Sequence, residues 1–382
     1  MRIVMTVCGL LLIGLVLFDA FEAILLPRRV MRAFRPTRTF YVVTWGVWRW
    51  LALRVPWPRR RANMLGAFGP LSLLGLFGNW LIGLVFGFAL VGWGLEAPLE
   101  STTNEPLGFS SYLYLSGVTL FTLGFGDLTP TAPSGRLLAV VEAGVGYGFL
   151  AAMLGYLPVL YQAFSRRELV ISLLDARAGS PPSSDQFLLR MAQARHPTEL
   201  DPFLAELERW AAELLESHLS FPMLGFYRSQ HDNQSWLAAL TMILDSCALL
   251  LVGVKGTNLY QAQLTFAMAR HAAVDLALVI RTNPPKVPIE RLSCQGWQKL
   301  RAALAAAGVP LNEGPEVESK INELRAMYEP FVQALAERFL LDLPEIYAES
   351  RRGDNWQASA WMPRTPGIGQ LAATDEREEH FG

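Results

Sequence analysis

Long apolar runs alternate with short polar stretches as far as Ser165. The runs from Ile3 to Leu26, Met64 to Leu95 and Arg136 to Tyr161 are each long enough to cross a bilayer as a helix at about 1.5 Å per residue. A further run, Ser110 to Phe121, is too short to cross and is expected to enter the membrane and turn back. The pattern therefore predicts three membrane-spanning helices and one re-entrant helix.

The first span is followed by a cluster of positive charge. The arginines of this cluster are Arg28, Arg29, Arg32, Arg35 and Arg38. Because basic residues stay on the cytoplasmic side of a membrane, we expect segment 1–30 to be an N-terminal transmembrane helix with its N-terminus outside. A cleaved signal peptide is the alternative, since Ala20 and Ala23 are small residues near the end of the apolar run.

Two carboxylates lie near the cytoplasmic end of this span. Asp19 and Glu22 are three residues apart and share one face of the helix. Carboxylates in a membrane need partners, so we expect these two to pair with neighbouring arginines in an interfacial cluster. A proton or ion site is the functional alternative.

Segment 31–63 is basic and aromatic rather than uniformly apolar. The helical stretch from Thr39 to Pro56 contains Trp45, Trp48 and Trp50 and has arginines at both ends. A spanning helix would leave one of the two basic clusters outside. We therefore predict an amphipathic helix on the cytoplasmic surface, with its tryptophans at headgroup level. A fourth span is the alternative.

A hexapeptide with two glycines, Thr122 to Asp127, separates the re-entrant helix from a proline-rich turn. Gly124 and Gly126 allow positive φ angles, with which successive carbonyl groups can point to the same side of the chain. Where four such strands surround one axis, their oxygens would replace the water shell of a dehydrated monovalent cation. The ligands would be the carbonyl oxygens of Thr122, Leu123, Gly124 and Phe125, with the Thr122 hydroxyl.

This hexapeptide resembles the selectivity filter of potassium channels, whose common form is Thr-Val-Gly-Tyr-Gly-Asp, with Leu123 in place of Val and Phe125 in place of Tyr. The resemblance extends from Ser110 to about Tyr161 and includes the run from Gly135 to Val141. It implies a pore module over 64–164, made of an outer helix 64–95, a pore helix 110–121, a filter 122–127 and an inner helix 136–162. Leu123 and Phe125 would pack against a surrounding cuff, and Asp127 would lie at the outer mouth.

Three residues of the inner helix are candidates for gating or for support of the filter. In the channel comparison Gly146 falls at the position of the gating hinge, and Pro158 removes a backbone donor and should kink the helix near the cytoplasm. Plain helix packing is the alternative for both. Glu142 lies deep in the span, so its carboxyl needs a polar partner such as Thr119 or Ser116. We expect it to support the filter from behind, and a cation site in the cavity is the alternative.

From residue 165 to 350 the pattern changes to amphipathic helices separated by Gly- and Pro-rich breakers. We predict an all-helical cytoplasmic domain. It is unlike nucleotide-binding regulatory domains because no strand leads into a Gly-x-Gly-x-x-Gly loop. Trp236 to Val254 is apolar enough to resemble a span but contains Asp245, so we expect a buried bundle helix. Residues 351–382 are predicted to be a disordered tail.

Composition places the chain in the membrane class. Hydrophobic residues make up 52% of the 382 residues and charged residues only 18%, while the net charge of −1 argues against a nucleic-acid partner. Cys8, Cys247 and Cys294 are far apart and indicate neither a disulfide framework nor a metal site, and the histidines lack a ligand spacing. The sequence contains no nucleophile–base pattern or phosphate loop, so an enzyme is not expected.

Together these observations predict an all-α, multi-pass protein of the cell membrane. We expect it to be the pore-forming subunit of a homotetrameric cation channel that conducts K⁺ passively, with no cofactor. Its expected partners are further copies of itself, membrane lipid, monovalent cations and a regulator that binds the cytoplasmic domain. A non-selective cation pore is one alternative, and a membrane-anchored binding or signalling protein that uses the channel-like module as an assembly scaffold is another.

Overall fold

The computed structural model describes residues 1–24, 35–102, 106–192, 200–231, 233–255, 259–285, 287–347 and 353–357. The chain divides into two compact units, Met1–Gln162 and Ala163–Gly382. Each unit is built mostly from helices.

Unit 1 contains four helices and the first part of a fifth. They are α1 (Arg2–Ile24), α2 (Pro36–Leu53), α3 (Pro58–Gly94), α4 (Phe109–Leu120) and α5 (Pro133–Ala178). Two three-residue strands, β1 (Leu99–Ser101) and β2 (Leu128–Pro130), pair antiparallel. This strand pair departs from the expected all-α fold, and strands so short carry no alternation of apolar and polar residues that would reveal them.

Helices α1 and α3 pack antiparallel through small residues. Gly94, at the end of α3, lies against Thr6 near the start of α1, and Gly87 lies against Ile13. A β-carbon at Gly87 would fall 2.6 Å from Ile13 Cγ1, so only glycine permits this approach. Close contact of this kind replaces the hydrophobic effect, which is absent between helices in lipid.

Helix α2 packs against the first turns of α3. Trp45 is buried, and the centroid of its ring lies 4.8 Å from that of Phe68. Trp48 Nε1 donates to the Met64 carbonyl at 3.0 Å. α3 starts at Pro58 rather than at the predicted residue 64, because proline fits the first turn of a helix, where its missing N–H is not needed. The placement of α2 on the membrane surface stays a prediction.

Among the described residues, four helical segments are long and apolar enough to cross a membrane. They are Arg2–Ile24, Pro58–Gly94, Pro133–Ala178 and Tyr260–Ile280. The first three overlap the three predicted spans, although α3 ends one residue before the predicted Leu95 and residues 25 and 26 lie outside the described residues. The fourth belongs to unit 2.

Helix α5 continues beyond the predicted end of the inner helix at residue 162 and reaches Ala178. Pro158 does not end the helix; it ends just before Gly179. The φ of Gly179 is +87°, which suits glycine, and its N–H donates to the Asp175 carbonyl. One uninterrupted helix therefore begins in unit 1 and ends in unit 2.

Unit 2 is a helical bundle around one apolar core. Its further helices are α6 (Ser184–Ala192), α7 (Leu200–Ser220), α8 (Trp236–Val252), α9 (Leu259–Ile280), α10 (Cys294–Ala306), α11 (Pro315–Ala326) and α12 (Glu329–Phe339). Every residue from Trp236 to Leu250 is buried, as expected for the central helix of a bundle. α9 instead buries one face, with Thr265 and Phe266 inside and Tyr260 and Leu278 outside.

Part of the segment predicted to be a disordered tail is described. Asn355–Gln357 form a short 3-10 helix, and the Asp175 carboxylate accepts from the backbone N–H groups of Asn355 and Trp356 at 3.1 and 2.7 Å. Arg190 also pairs with Asp354 at 2.8 Å. Residues 351–352 and 358–382 lie outside the described residues.

Candidate functional site

The hexapeptide Thr122 to Asp127 follows helix α4 after a single residue, Phe121. Its first residues are tied to the end of that helix, because Thr122 N–H donates to the Thr119 carbonyl at 3.0 Å and Leu123 N–H donates to the Val118 carbonyl at 2.8 Å. The position of the hexapeptide is therefore fixed by the position of α4.

The backbone of the hexapeptide alternates in handedness. φ is +55° at Thr122, +59° at Gly124 and +78° at Gly126, whereas Leu123 and Phe125 keep ordinary negative values. Such alternation turns successive peptide planes so that their carbonyl oxygens can line one side of the strand. A positive φ is costly for Thr122, and such strain is typical of functional backbone.

The large side chains of the hexapeptide have little cover within one chain. Leu123 is 56% exposed and Phe125 is 67% exposed, and Phe121 just before them is 54% exposed. Three neighbouring apolar side chains left open to the surroundings indicate a surface that another molecule covers.

The C-terminal end of the hexapeptide is held by α4 and by the residue that follows β1. Tyr114 OH donates to Asp127 Oδ2 at 2.8 Å, and Thr102 N–H donates to the Asp127 carbonyl at 3.0 Å. β1 and β2 then join the chain after α3 to the chain after the hexapeptide. Sequence reasoning missed Tyr114, because α4 has several hydroxyl-bearing residues and nothing in the sequence distinguishes this one.

Glu142 lies behind α4, not in an open cavity of the single chain. It is 4% exposed, and its carboxyl makes a short hydrogen bond with the Ser116 hydroxyl, one of the two predicted partners. Ser116 Oγ also lies 2.9 Å from the Val85 carbonyl of α3. A small cavity of about 30 Å³ adjoins Glu142. The role of Glu142 in supporting the filter stays a prediction.

Gly146 packs against the end of α4. Its backbone lies against Leu120, which leaves no room for a side chain, whereas Gly144 and Gly148 have open space around them in the single chain. α5 continues as a helix through Pro158. Close packing thus accounts for Gly146, and its role as a hinge stays a prediction, as does the kink at Pro158.

Asp19 and Glu22 have different partners. Asp19 accepts from Trp80 Nε1 at 2.9 Å and from the backbone N–H of Thr37 at 3.1 Å, so it holds α3 and caps the first turn of α2. Glu22 lies 3.7 Å from Arg35 Nε. Glu22 therefore has the expected arginine partner. Asp19 instead accepts hydrogen bonds from the Trp80 indole and from the N-terminus of α2. Arg28, Arg29 and Arg32 lie outside the described residues.

Metal-binding clusters are absent from the part of the chain that the structure describes. Groups of three or more His, Cys, Asp or Glu side chains able to hold a metal do not occur there, and Cys8, Cys247 and Cys294 are free thiols. The predicted ligands of a cation at Thr122 to Phe125 are the backbone carbonyl oxygens and the Thr122 hydroxyl.

Comparison with known proteins agrees with this geometry. A family described as an ion channel matches residues 76–162, which contain most of α3, all of α4, the hexapeptide and α5 as far as Gln162. The match confirms the resemblance to the potassium channel family. Together with the apolar helices, it indicates a multi-pass membrane protein with an ion channel region.

Three curated proteins are similar to parts of the chain. An uncharacterized membrane protein of Bacillus subtilis, YdjJ, is 24% identical over 194 residues, covering 50% of this chain and 56% of its own length. The proteins named LctB of Bacillus caldotenax and Geobacillus stearothermophilus are 33% and 35% identical over 78 residues, covering 18% of this chain and 58% of their own length. The chain thus spans little more than half of these relatives. No solved structure matches.

Proposed function

We propose that this chain is the pore-forming subunit of a homotetrameric potassium channel, and that K⁺ crosses the membrane passively through a filter formed by Thr122 to Asp127 of four copies. One observation carries the proposal. The sign of φ alternates along the hexapeptide, with positive values at Thr122, Gly124 and Gly126, and this is the arrangement that lets main-chain oxygens take the place of water around a cation.

Assembly follows from the coordination that a bare cation needs. One strand offers oxygens from one direction only, and non-helical backbone at membrane depth is stable only when protein surrounds it. Copies of the chain around a common axis would complete the ring of oxygens. They would also cover Leu123 and Phe125, which are exposed in the single chain.

Selectivity for K⁺ is assigned to the carbonyl oxygens of Thr122, Leu123, Gly124 and Phe125. The free energy that K⁺ loses with its water shell would be recovered from several carbonyl dipoles. The side chains around the filter would set its width. Leu123 and Phe125 would provide this cuff in each copy. Selectivity over Na⁺ therefore depends on how these two apolar side chains pack against their neighbours.

The second unit would regulate the pore from the cytoplasm. The basic residues after α1 favour a cytoplasmic position for that segment. With three membrane crossings, the N-terminus would be outside and the end of α5 would be in the cytoplasm. Helix α5 starts in unit 1 and ends in unit 2, so a regulator that binds unit 2 would act on the pore through this helix. The spans contain no arginines at every third position, so voltage is not the expected stimulus.

The test is the reversal potential of the purified full-length protein in planar bilayers with unequal KCl and NaCl solutions. The expected reversal potential follows the K⁺ gradient, and native mass measurement gives four chains. A reversal potential that follows K⁺ and Na⁺ equally would indicate a non-selective pore. A tetramer that carries no current at all would favour the assembly scaffold.

Matched glycine substitutions connect the current to the filter. Gly124→Ala forces a positive φ of 59° on alanine, whereas Gly117→Ala places the same methyl group in open space on helix α4. We expect Gly124→Ala to abolish K⁺ selectivity or current and Gly117→Ala to retain both. Equal effects of the two substitutions would show that the hexapeptide is not the filter.

A further inference from the structure

A chain of three oxygen atoms crosses the helices behind the filter. Ser116 Oγ of α4 lies 2.9 Å from the Val85 carbonyl of α3, and it makes a short contact with Glu142 Oε1 of α5. Each of these two contacts needs one hydrogen atom between its oxygens. The number of hydrogens that the three groups own therefore decides which of them donates.

If Glu142 is ionised, the three groups own one hydrogen too few for two hydrogen bonds. The backbone carbonyl of Val85 owns no hydrogen, a carboxylate owns none, and the Ser116 hydroxyl owns one. One contact would then be two oxygens with nothing between them. If the Glu142 carboxyl is protonated, it donates to Ser116 and Ser116 donates to Val85, so that both contacts become hydrogen bonds.

The surroundings of Glu142 agree with a neutral acid. The carboxyl is 4% exposed, and the cavity beside it is otherwise lined by apolar side chains, two hydroxyl residues and Tyr112. Tyr112 is the one other titratable side chain in that lining, and its hydroxyl already donates to the Ala97 carbonyl at 2.7 Å. None of the described lining residues is a lysine or arginine. A cavity of about 30 Å³ holds one or two waters at most, too few to solvate a carboxylate.

The two hydrogen bonds from Glu142 to Ser116 and from Ser116 to Val85, called the relay below, hold α4 between α3 and α5. Ser116 lies on the helix whose last turn binds Thr122 and Leu123 by backbone hydrogen bonds. A shift of α4 therefore moves the oxygens at the start of the hexapeptide. We propose that Glu142 is a positioning residue that acts as a neutral carboxylic acid, and that the relay Glu142–Ser116–Val85 keeps the filter conducting until loss of the Glu142 proton breaks it. This inference rests on the proposed channel function for its effect on current, but not for the protonation itself.

The first test reads the protonation without any current. Infrared difference spectra of full-length protein in lipid at neutral pH, wild type minus Glu142→Gln, should contain a protonated carboxylic-acid carbonyl band that disappears reversibly at alkaline pH. The absence of this band, or its persistence in Glu142→Gln, would overturn the proposal even if the protein conducts. A protein with the band but without current would overturn the channel function instead.

The second test uses the direction of the hydrogen bonds. The amide of Gln donates to Ser116 as the acid does, so Glu142→Gln should conduct like wild type and lose the alkaline inhibition. Glu142→Met cannot donate and Ser116→Ala breaks the relay, so each should lower the open probability by about tenfold, equivalent to one buried hydrogen bond. Tyr112→Phe should leave the alkaline inhibition in place. Alkaline inhibition that survives in Glu142→Gln, or current in Glu142→Met equal to that in Glu142→Gln, would refute the relay.

Discussion

Gly146 lies in direct contact with the main chain of Leu120. A β-carbon built at Gly146 would fall 2.0 Å from the Leu120 carbonyl oxygen and 2.9 Å from its carbonyl carbon. Both atoms are backbone, so no rotation of a side chain relieves the overlap. α5 and the last turn of α4 can adopt this packing only because residue 146 has no side chain.

The substitution Gly146→Ala should separate α5 from α4. Overpacking against backbone costs about 1–3 kcal/mol or more, because a whole helix has to move. We expect a lower unfolding temperature of the protein in detergent and loss of K⁺ current. Gly144→Ala and Gly148→Ala are the controls, since both sites have open space in the single chain and alanine favours a helix by about 1 kcal/mol over glycine. Equal stability of all three variants would refute the contact.

Asp19 should be the residue on which the packing of α2 depends. Asp19→Ala leaves the buried Trp80 indole N–H and the Thr37 N–H without their acceptor, at a cost of about 1–3 kcal/mol for each unsatisfied group. Asp19→Asn keeps one acceptor oxygen and should lose less. Denaturant unfolding in micelles measures both, with Cys8→Ala, an exposed site on the same helix, as the neutral control. A loss no larger for Asp19→Ala than for Cys8→Ala would contradict the role.

Local sequence features predict much of the pore region. Apolar length gives α1, α3 and α5, and the short run before the hexapeptide gives α4 within one residue at each end. The glycines at 124 and 126 predict positive φ because glycine alone adopts it without strain. The positive φ of Thr122 has no such signal, since threonine rarely adopts a positive φ.

Contacts between distant residues are what the sequence leaves undetermined. Asp19 could be given a partner only by charge, which pointed to arginines, whereas packing of α1 on α3 brings it to Trp80. The same holds for Glu142, where two hydroxyl residues on one face of α4 were equally good candidates and the rotation of the helix selects Ser116. Side-chain chemistry states that a partner is needed, and only helix packing decides which one.

His218 should make unit 2 less stable in acid. Burial first, and then the charge of Arg167, lower the pKa of His218 from 6.5 to about 3. The neutral ring donates from Nδ1 to the Leu214 carbonyl at 2.8 Å, which leaves Nε2 to accept from Arg167 at 3.4 Å. Between pH 6.5 and 3 the unfolded chain binds a proton that the folded chain does not. The free energy of unfolding should therefore fall by about 1.4 kcal/mol per pH unit, or about 2 kcal/mol at pH 5.

The measurement is the denaturation midpoint of full-length protein in micelles at pH 7 and pH 5. His218→Gln, which stays neutral, should reduce the difference between the two midpoints. His271→Gln is the control, because His271 lies on the surface and pairs with Asp275 on its own helix. If both variants keep the full difference, His218 is not the group responsible.

Arg291 should be required for the fold of unit 2. Its guanidinium donates to both Asp245 oxygens at 2.8 and 2.9 Å and to Glu329 at 2.6 Å, and Tyr328 OH donates to Asp245 at 2.5 Å. Burial raises the pKa of Asp245, and the adjacent Arg291 opposes this shift. Arg291→Met would leave the buried Asp245 carboxylate without its cation, whereas Glu329 would keep Arg325 at 3.5 Å, and the expected cost is about 3–5 kcal/mol. Arg301→Met, which loses a cation–π contact with Trp297, should cost less than about 1 kcal/mol in the same denaturant titration. Equal losses would show that the network is not what stabilises the unit.

Tyr114 should control how long the filter stays conducting. Its hydroxyl bonds Asp127 at 2.8 Å, while the Asp127 main chain is held separately by Thr102, so Tyr114→Phe should free the side chain without unfolding the strand. Because this hydrogen bond is exposed to solvent, its loss should shorten the open lifetime modestly, by about threefold. Single-channel recording measures it. Tyr147→Phe, which removes a hydroxyl from an exposed ring of α5, is the control. Because Tyr114→Phe and Asp127→Asn weaken the same bond, the double variant should behave like the more affected single one, and lifetimes that multiply would place the two residues in separate roles.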